Sequence, residues 1–434
     1  MGTAHSGHVH NTCNYYETTR NNGPVDDSSD WATEEATTAA DRHDFLEFDP
    51  AFIRQKAVAD ARMSPRVYKK ASRKPIKGLR TAEGGSSVLV MNGSESSTAA
   101  ASQVTETGLM RHLEHSLGGL SRGYSSAISA VTNDTSFTLT TTTGFDEGVM
   151  YAVEDADDAN RLWPVRALTD GGAGVITTDR DFGGFNVSTS DTAHAVAMIY
   201  IDQDALTNPS DGSASTVSIL HTRGGDVWEV NGCAYQLDTV DFPRGEVPKF
   251  NFSISGAYVR PEDDGAPAAP TFTGTVQGAA GIVVGADTYL HVQAKGTTTE
   301  NLHEIVSGTL TVGVPRIRMD GITGSSVRAQ GTHGFTTAPA DTILEIQAYM
   351  QDATFQDWWD AGTALVVSLF QVAPAGSGWI VHGSDAILME PPEPVVGNES
   401  NLQTLRFEFR EDASLDATAT NLDRARSKLI IGLY

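Results

Sequence analysis

Two stretches of the chain alternate apolar and polar residues without a break. In KFNFSIS, Phe250, Phe252 and Ile254 alternate with Asn251, Ser253 and Ser255, and in LRFEFR, Leu405, Phe407 and Phe409 alternate with Arg406, Glu408 and Arg410. A period of two describes a strand with one buried and one wet face. The segment before the first repeats the pattern, with Trp228 and Val230 against Glu229 and Asn231. Past Gly232 the apolar phase moves to Cys233, Tyr235 and Leu237, as a β-bulge at that glycine would require, and Gly383 stands at the same place in GWIVHGSDAILM. Further apolar runs predict strands at GSSVLVMNG (85–93), HAVAMIYID, VSILHT, TYLHVQAK, GTLTVGV, ILEIQAYM, ALVVSLFQV and the final SKLIIGLY. Helical spacing is rarer. In TETGLMRHLEHSLGG, Leu109, Leu113 and Leu117 stand four apart beside Met110, a stripe that should end at Gly118-Gly119, and TFQDWWDAG is also helix-like.

The chain repeats itself. Gly184-Phe185, Asp191-Thr192, Asp202, Gly212 and Val217-Ser218 recur 150 residues later as Gly334-Phe335, Asp341-Thr342, Asp352, Gly362 and Val367-Ser368. After one extra loop residue, Trp228, Val230, Gly232, Leu237 and Pro243 match Trp379, Val381, Gly383, Leu388 and Pro394 at an offset of 151. A single frame shift at a loop marks a duplicated fold, and two copies of this length are two tandem domains, not a solenoid. The Pro- and Ala-rich PEDDGAPAAP (261–270) separates them. The expected division is an extended arm over 1–84, a first β domain over 85–265 and a second over 271–434. SFTLTTTTGF, GVMYAVED and RLWPVRALTD have no counterpart in the second copy and predict a small β insertion at about 131–182. The fold class is mainly β: two tandem sandwich or barrel domains, each with a short helix.

Charge changes the picture only at the arm. A net charge of −25 argues against the whole chain wrapping nucleic acid or lying on an anionic membrane. No apolar run is long enough to predict a transmembrane helix. The first residues lack the charged start and apolar stretch of a signal peptide, so the chain is expected to stay in the cytoplasm of its producing cell until assembled. Residues 1–50 hold ten Asp or Glu against Arg20 and Arg42, a balance of −8. From Arg54 to Arg80 the sign inverts: Arg54, Lys56, Arg62, Arg66, Lys69, Lys70, Arg73, Lys74, Lys77 and Arg80 oppose Asp60 alone, a balance of +9. Such a run suits nucleic acid or the acidic surface of a neighbouring copy, and in so acidic a chain the second is preferred.

Catalytic chemistry is missing from the pattern. His303-Glu304 lacks the second histidine of a zinc-protease helix, and neither a phosphate loop nor a glycine-flanked serine after a strand is present. Cys13 and Cys233 have no metal-ligand spacing and imply no disulfide framework. His5, His8, His10 and Cys13 could hold a soft metal, but read as a solvated tail. In EDADDAN, Glu154, Asp155, Asp157, Asp158 and Asn160 offer calcium-like oxygens without a known calcium spacing, so an acidic turn is expected. Trp358-Trp359 beside Phe355 reads as core before it reads as a ligand platform. No enzyme activity, metal or cofactor is expected.

The segment GEVPKFNFSISGAYV, following a Trp-containing strand and a Pro/Gly-rich turn, resembles the main hairpin of bacteriophage tail tube proteins, and WIVHGSDAILMEPPEPVVG with LRFEFRE resembles the same element again. LMRHLEHSLGG is similar to a short leucine-rich segment early in many tube subunits. The resemblance covers roughly 85–434 without the insertion and rests on patterns, not invariant residues. It implies a small β-sandwich or barrel whose four-stranded sheets close, six to a ring, around a lumen. Some long-tailed phages build the ring from three chains of two tandem copies, and the duplication points to that variety. It also implies rings stacked in a virion tail after assembly in the host cytoplasm, partners in the tape-measure, tail-terminator and tail-tip proteins, and transient passage of viral DNA. The arm and the insertion depart from the minimal pattern and inherit no role.

The wet faces of the four hairpin strands nominate Glu229, Asn231, Asp238, Asn251, Ser253, Asp385 and Glu408 as lumen-facing. Arg406 and Arg410 share the face of Glu408 and call for neutralisation by Glu408 and Glu411 or a place beyond the pore. In the arm, Arg54, Lys56, Arg66, Lys69, Lys70, Arg73, Lys74, Lys77 and Arg80 are nominated for contacts between subunits. A tail-tip hub or distal tail protein, and a carbohydrate-binding adhesin, are the competing readings.

Overall fold

The computed structural model describes residues 10–16, 42–46, 54–57, 60–61, 76–77, 80–89, 108–122, 125–141, 145–157, 161–169, 174–182, 186–207, 217–223, 226–256, 258–261, 287–297, 301–321, 331–349, 354–374, 378–394, 402–413 and 422–434. Strands dominate and the fold is mainly β. The body begins with β1 (Arg80–Leu89), α1 (Gly108–Leu117) and β2 (Gly118–Arg122). The expected stripe is the reason α1 forms: Leu109, Met110, Leu113 and Leu117 are all buried on one face. The helix stops where Gly118 takes a φ of 95°, a left-handed conformation that a side chain would resist.

The next six strands are β3 (Ser126–Asn133), β4 (Ser136–Leu139), β5 (Met150–Asp155), β6 (Arg161–Thr169), β7 (Val175–Thr178) and β8 (Thr192–Ala195). Their antiparallel pairings run β5–β6–β7–β4–β3–β8 and return from β8 to β5, so they close a barrel. Phe137, Tyr151, Val153, Leu162 and Ile176 are buried in a cluster centred there. This barrel extends past the 131–182 expected for the insertion, because β3 and β8 are needed for closure. HAVAMIYID, expected as one strand, is split at Val196: β8 belongs to the insertion barrel and β9 (Ala197–Ile201) to the body.

The first repeat continues with α2 (Gln203–Thr207), β10 (Val217–Arg223), β11 (Asp226–Phe242) and β12 (Lys249–Gly256). The second contains β13 (Thr288–Ala294), β14 (Leu302–Thr311), β15 (Thr342–Tyr349), α3 (Thr354–Ala361), β16 (Leu365–Gln371), β17 (Trp379–Leu388) and β18 (Leu402–Phe409). It forms a second closed barrel, paired β13–β14–β15–β18–β17–β16 and back to β13. Leu290, Leu344, Val367, Val381 and Phe407 are buried in a core cluster that also takes in Leu113, Tyr235 and Phe252 of the first repeat. One apolar core therefore runs through both copies.

Order recurs and pairing recurs in part: β10–β11 and β11–β12 have their counterparts in β16–β17 and β17–β18. Strand, helix, strand, long strand and strand follow each other in both copies, but β9 pairs with β2 whereas β15, at the matching offset, pairs with β14 and β18. Beside β12, the place that β15 takes beside β18 is held by β1. Besides the pairing of Arg161 and Leu162 with Pro374 and Ala373, two seams tie the copies together among the described residues. Thr239–Phe242 of β11 pair with Gly308–Thr311 of β14, and the last strand, β19 (Ile430–Leu433), pairs with β9 on one side and β17 on the other.

The bulges lie where local chemistry puts them. Gly232 has a φ of 63°, and the β10–β11 register slips there between Val217–Cys233 and Ile219–Val230, as expected. In the second copy the slip falls at Ser384–Asp385, just past Gly383. Gly383 serves packing instead: a Cβ on it would stand 2.8 Å from the Phe409 ring.

Candidate functional site

The two seams create a feature longer than either repeat. The strand Arg54–Ala57, then β1, β12, β11, β14, β15 and β18, pair in that order as one antiparallel sheet. One face packs Phe250, Phe252, Val240, Phe242, Leu310, Leu344, Ile346 and Phe407 into the core. On the other, Ser87, Asn251, Thr239, Thr311, Ile343 and Glu408 stand abreast in one row. Lys249, Asp241, Thr309, Glu345 and Arg406 form the next. A polar ladder thus crosses the boundary between the copies.

Hydrogen bonds hold the first-repeat half of this face. Asn251 donates through Nδ2 to Thr239 Oγ1 at 2.9 Å and Asp241 Oδ2 at 2.7 Å, while its Oδ1 accepts from Ser87 Oγ at 2.7 Å. Gln236 Nε2 donates to Asp238 Oδ1 at 2.7 Å, and Ser253 donates to the other oxygen of Asp238. Asp238 follows Gln236 onto this face by alternation, and a second bulge, between Leu237 and Thr239, brings Thr239 and Asp241 onto the same side. A groove lies at the seam itself, lined by Asp241, Lys249, Ser307, Thr309, Glu345 and Gln347 among others.

The nominated residues divide. Asp238, Asn251, Ser253 and Glu408 share the polar face of the long sheet. Glu229 and Asn231 sit on β11 before the first bulge, opposite Arg260 and Tyr258; they are described in backbone only. Asp385 lies at the second-copy bulge in an ion cluster: Lys295 Nζ is 2.8 Å from its Oδ2, and Arg410 Nη2 is 2.6 Å from its Oδ1. Lys295 also meets Asp412 at 2.6 Å. Burial opposes the lysine charge, but its bonds to Asp385 and Asp412 outweigh that and raise the amine above its ordinary value. The arginines that called for neutralisation by Glu408 and Glu411 find other partners, Arg406 in Glu390 at 2.9 Å and Arg410 in Asp385. Asp241, Thr309, Glu345 and Gln347 were not nominated. The alternation in ILEIQAYM was visible, but the seam that sets it beside β11 was not.

Other candidates resolve by contact. Glu154 Oε2 is 2.6 Å from His194 Nε2, and Asp155 Oδ1 accepts from the backbone of Asp157, so the acidic turn bonds to itself and its barrel; Asp158 and Asn160 lie outside the described residues. Phe355 is buried in edge contact with Trp358, ring centres 5.1 Å apart, while Trp358 and Trp359 pack on the core. His5 and His8 lie outside the described residues, and His10 and Cys13 are described only as backbone of a strand pairing with β10. Among the described residues no group of three or more His, Cys, Asp or Glu could hold a metal ion, and no helix is long and apolar enough to cross a membrane.

In the arm, Arg54 and Lys56 pair opposite Glu83 and Thr81, Arg80 opposite Ala57, and Lys77 opposite Asp60, all within the chain. Arg66, Lys69, Lys70, Arg73 and Lys74 lie outside the described residues. Neither a scan of protein-family models nor a search of curated proteins finds a match for this chain.

Proposed function

We propose that the chain is a structural subunit of a bacteriophage tail tube, three copies forming each ring and stacked rings forming the conduit for DNA. The observation that carries this reading is the polar face of the long sheet, continuous across both copies. An apolar-backed wall with one wet face is what a pore lining needs, and rotation of a shared head-to-tail contact closes such walls into rings. Phosphate contacts by Lys and Arg dominate nucleic-acid affinity, so a wall where DNA must slide should be poor in free cations. Asp238, Asp241, Glu345 and Glu408 give this face its anions, while of its cations Lys249 stands opposite Asp241 and Arg406 is bridged to Glu390. Screening over about 8–10 Å at physiological salt keeps the repulsion local, lubricating the passage without closing it. On this reading the arm's charge, −8 then +9, joins neighbouring subunits, and the tape-measure, tail-terminator and tail-tip proteins are partners of the assembly.

Negative-stain imaging of the purified protein tests it. Long tubes with three chains per ring are expected. Monomers at every concentration and salt would overturn it, and discrete rings that never stack would favour a tail-tip hub.

A further inference from the structure

The insertion barrel and the second barrel meet in an apolar cluster, where Trp163 packs on Tyr289 and Phe370, and beside it across a polar pocket that opens to solvent at Gly296 and Thr297. Arg166 and Asp179 of the first barrel face Gln293, His382 and Ser384 of the second, around a cavity of about 230 Å³. All five side chains are buried. Three of their atoms, Gln293 Oε1, His382 Nε2 and Ser384 Oγ, are buried and find no hydrogen-bond partner in the protein. Buried polar atoms are rarely left so in a native fold, because an unmade bond forfeits hydration with nothing in return.

The surroundings define what fills the space. The charges around the space already answer one another: Lys295 meets Asp385 and Asp412, and Arg166, which donates through Nη2 to Ala425 O at 2.5 Å and through Nε to Gly148 O at 3.3 Å, lies in the field of Asp179 and Asp412. Asp179 accepts the backbone N–H of Arg166 at 3.0 Å. An extra charge in so buried a site would stand uncompensated. An apolar guest would leave all three orphan atoms unmet. Gln293 Nε2 donates to Asp179 O at 2.7 Å, which assigns the amide nitrogen and leaves its oxygen, beside the His291 ring, in need of a donor. The volume is below the roughly 300 Å³ of ordinary ligand pockets. At about 30 Å³ per molecule it would take roughly eight waters.

We propose that this cavity is a built water site, a hydrated joint through which the insertion barrel is seated on the second barrel. Water serves as both donor and acceptor, so one cluster satisfies Gln293 Oε1, the Ser384 hydroxyl and either tautomer of His382.

An experimental structure at water-resolving resolution, paired with relaxation-dispersion counting of long-lived internal waters, tests the assignment. Ordered water within hydrogen-bond distance of Gln293 Oε1, Ser384 Oγ and His382 Nε2 is expected, and Ser384→Leu should remove at least one of these waters and lower the count. A dry cavity in the wild-type protein would overturn the proposal, as would a small molecule released one per chain on denaturation and identified by mass spectrometry. Should Ser384→Leu fail to fold, the wild-type density and the released-ligand assay still decide.

Discussion

Gly383 shows how much one hydrogen can decide. Its missing Cβ is the space occupied by the Phe409 ring, which is buried and held by the core. Gly383→Ala should cost about 1–3 kcal/mol through overpacking, read as a lower denaturation midpoint at unchanged slope. An unaltered midpoint would mean that Phe409 moves aside without penalty. His291 and His382 carry a different dependence. Burial first, and then the charge of Arg180 on His291 and those of Arg166 and Arg180 on His382, hold both rings well below the ordinary imidazole range. Both are therefore neutral in the fold, whereas the unfolded chain takes up protons below about pH 6.5. Stability is flat with respect to these groups above that pH. It falls as pH drops toward 5, with a slope approaching about 1.4 kcal/mol per pH unit for each histidine. Urea melts at pH 7.5 and 5.5 should differ accordingly, and His382→Asn should lessen the difference; identical wild-type midpoints would refute the assignment.

At the scale of elements, β19 does more than its four residues suggest. Pairing with β9 and β17 together, it joins the first repeat to the second barrel, and Ile430, Ile431 and Leu433 are buried. Ile431→Asp places a charge among apolar groups and should destabilise the fold by on the order of 4 kcal/mol. Limited proteolysis should then cut between the repeats sooner than in the wild type, and equal resistance would show that the β11–β14 seam suffices alone. The helices are simpler: α1 was legible because stripe and terminating glycine are local, and α3 because Phe355 packs beneath Trp358 at helical spacing.

For the whole molecule, the long sheet is where the proposed function is open to direct attack. Asp238→Lys, Glu345→Lys and Glu408→Lys combined would convert three anions of the polar face into cations. In particles that still assemble, DNA ejection is expected to slow by at least tenfold at low salt and to recover as salt screens the new charges. Ejection at the wild-type rate, with those positions verified in the lumen, would show that wall charge is not what keeps DNA moving.

The sequence by itself determined what depends on near neighbours. Alternation over 249–255 and 405–409 decided which side chains are buried, because successive residues of a strand face opposite ways. Gly232 announced a bulge, and the 150-residue repeat announced a recurring order of elements. It did not determine partners. Closure of the two barrels, the division of HAVAMIYID at Val196, the bridge made by β19 and the row that sets Asp241 beside Thr309 and Glu345 all join segments far apart in the chain. Many strands of similar pattern could satisfy the same hydrogen bonds. Which of them pair is settled only when the apolar faces are buried together in one core, and that choice belongs to the tertiary structure.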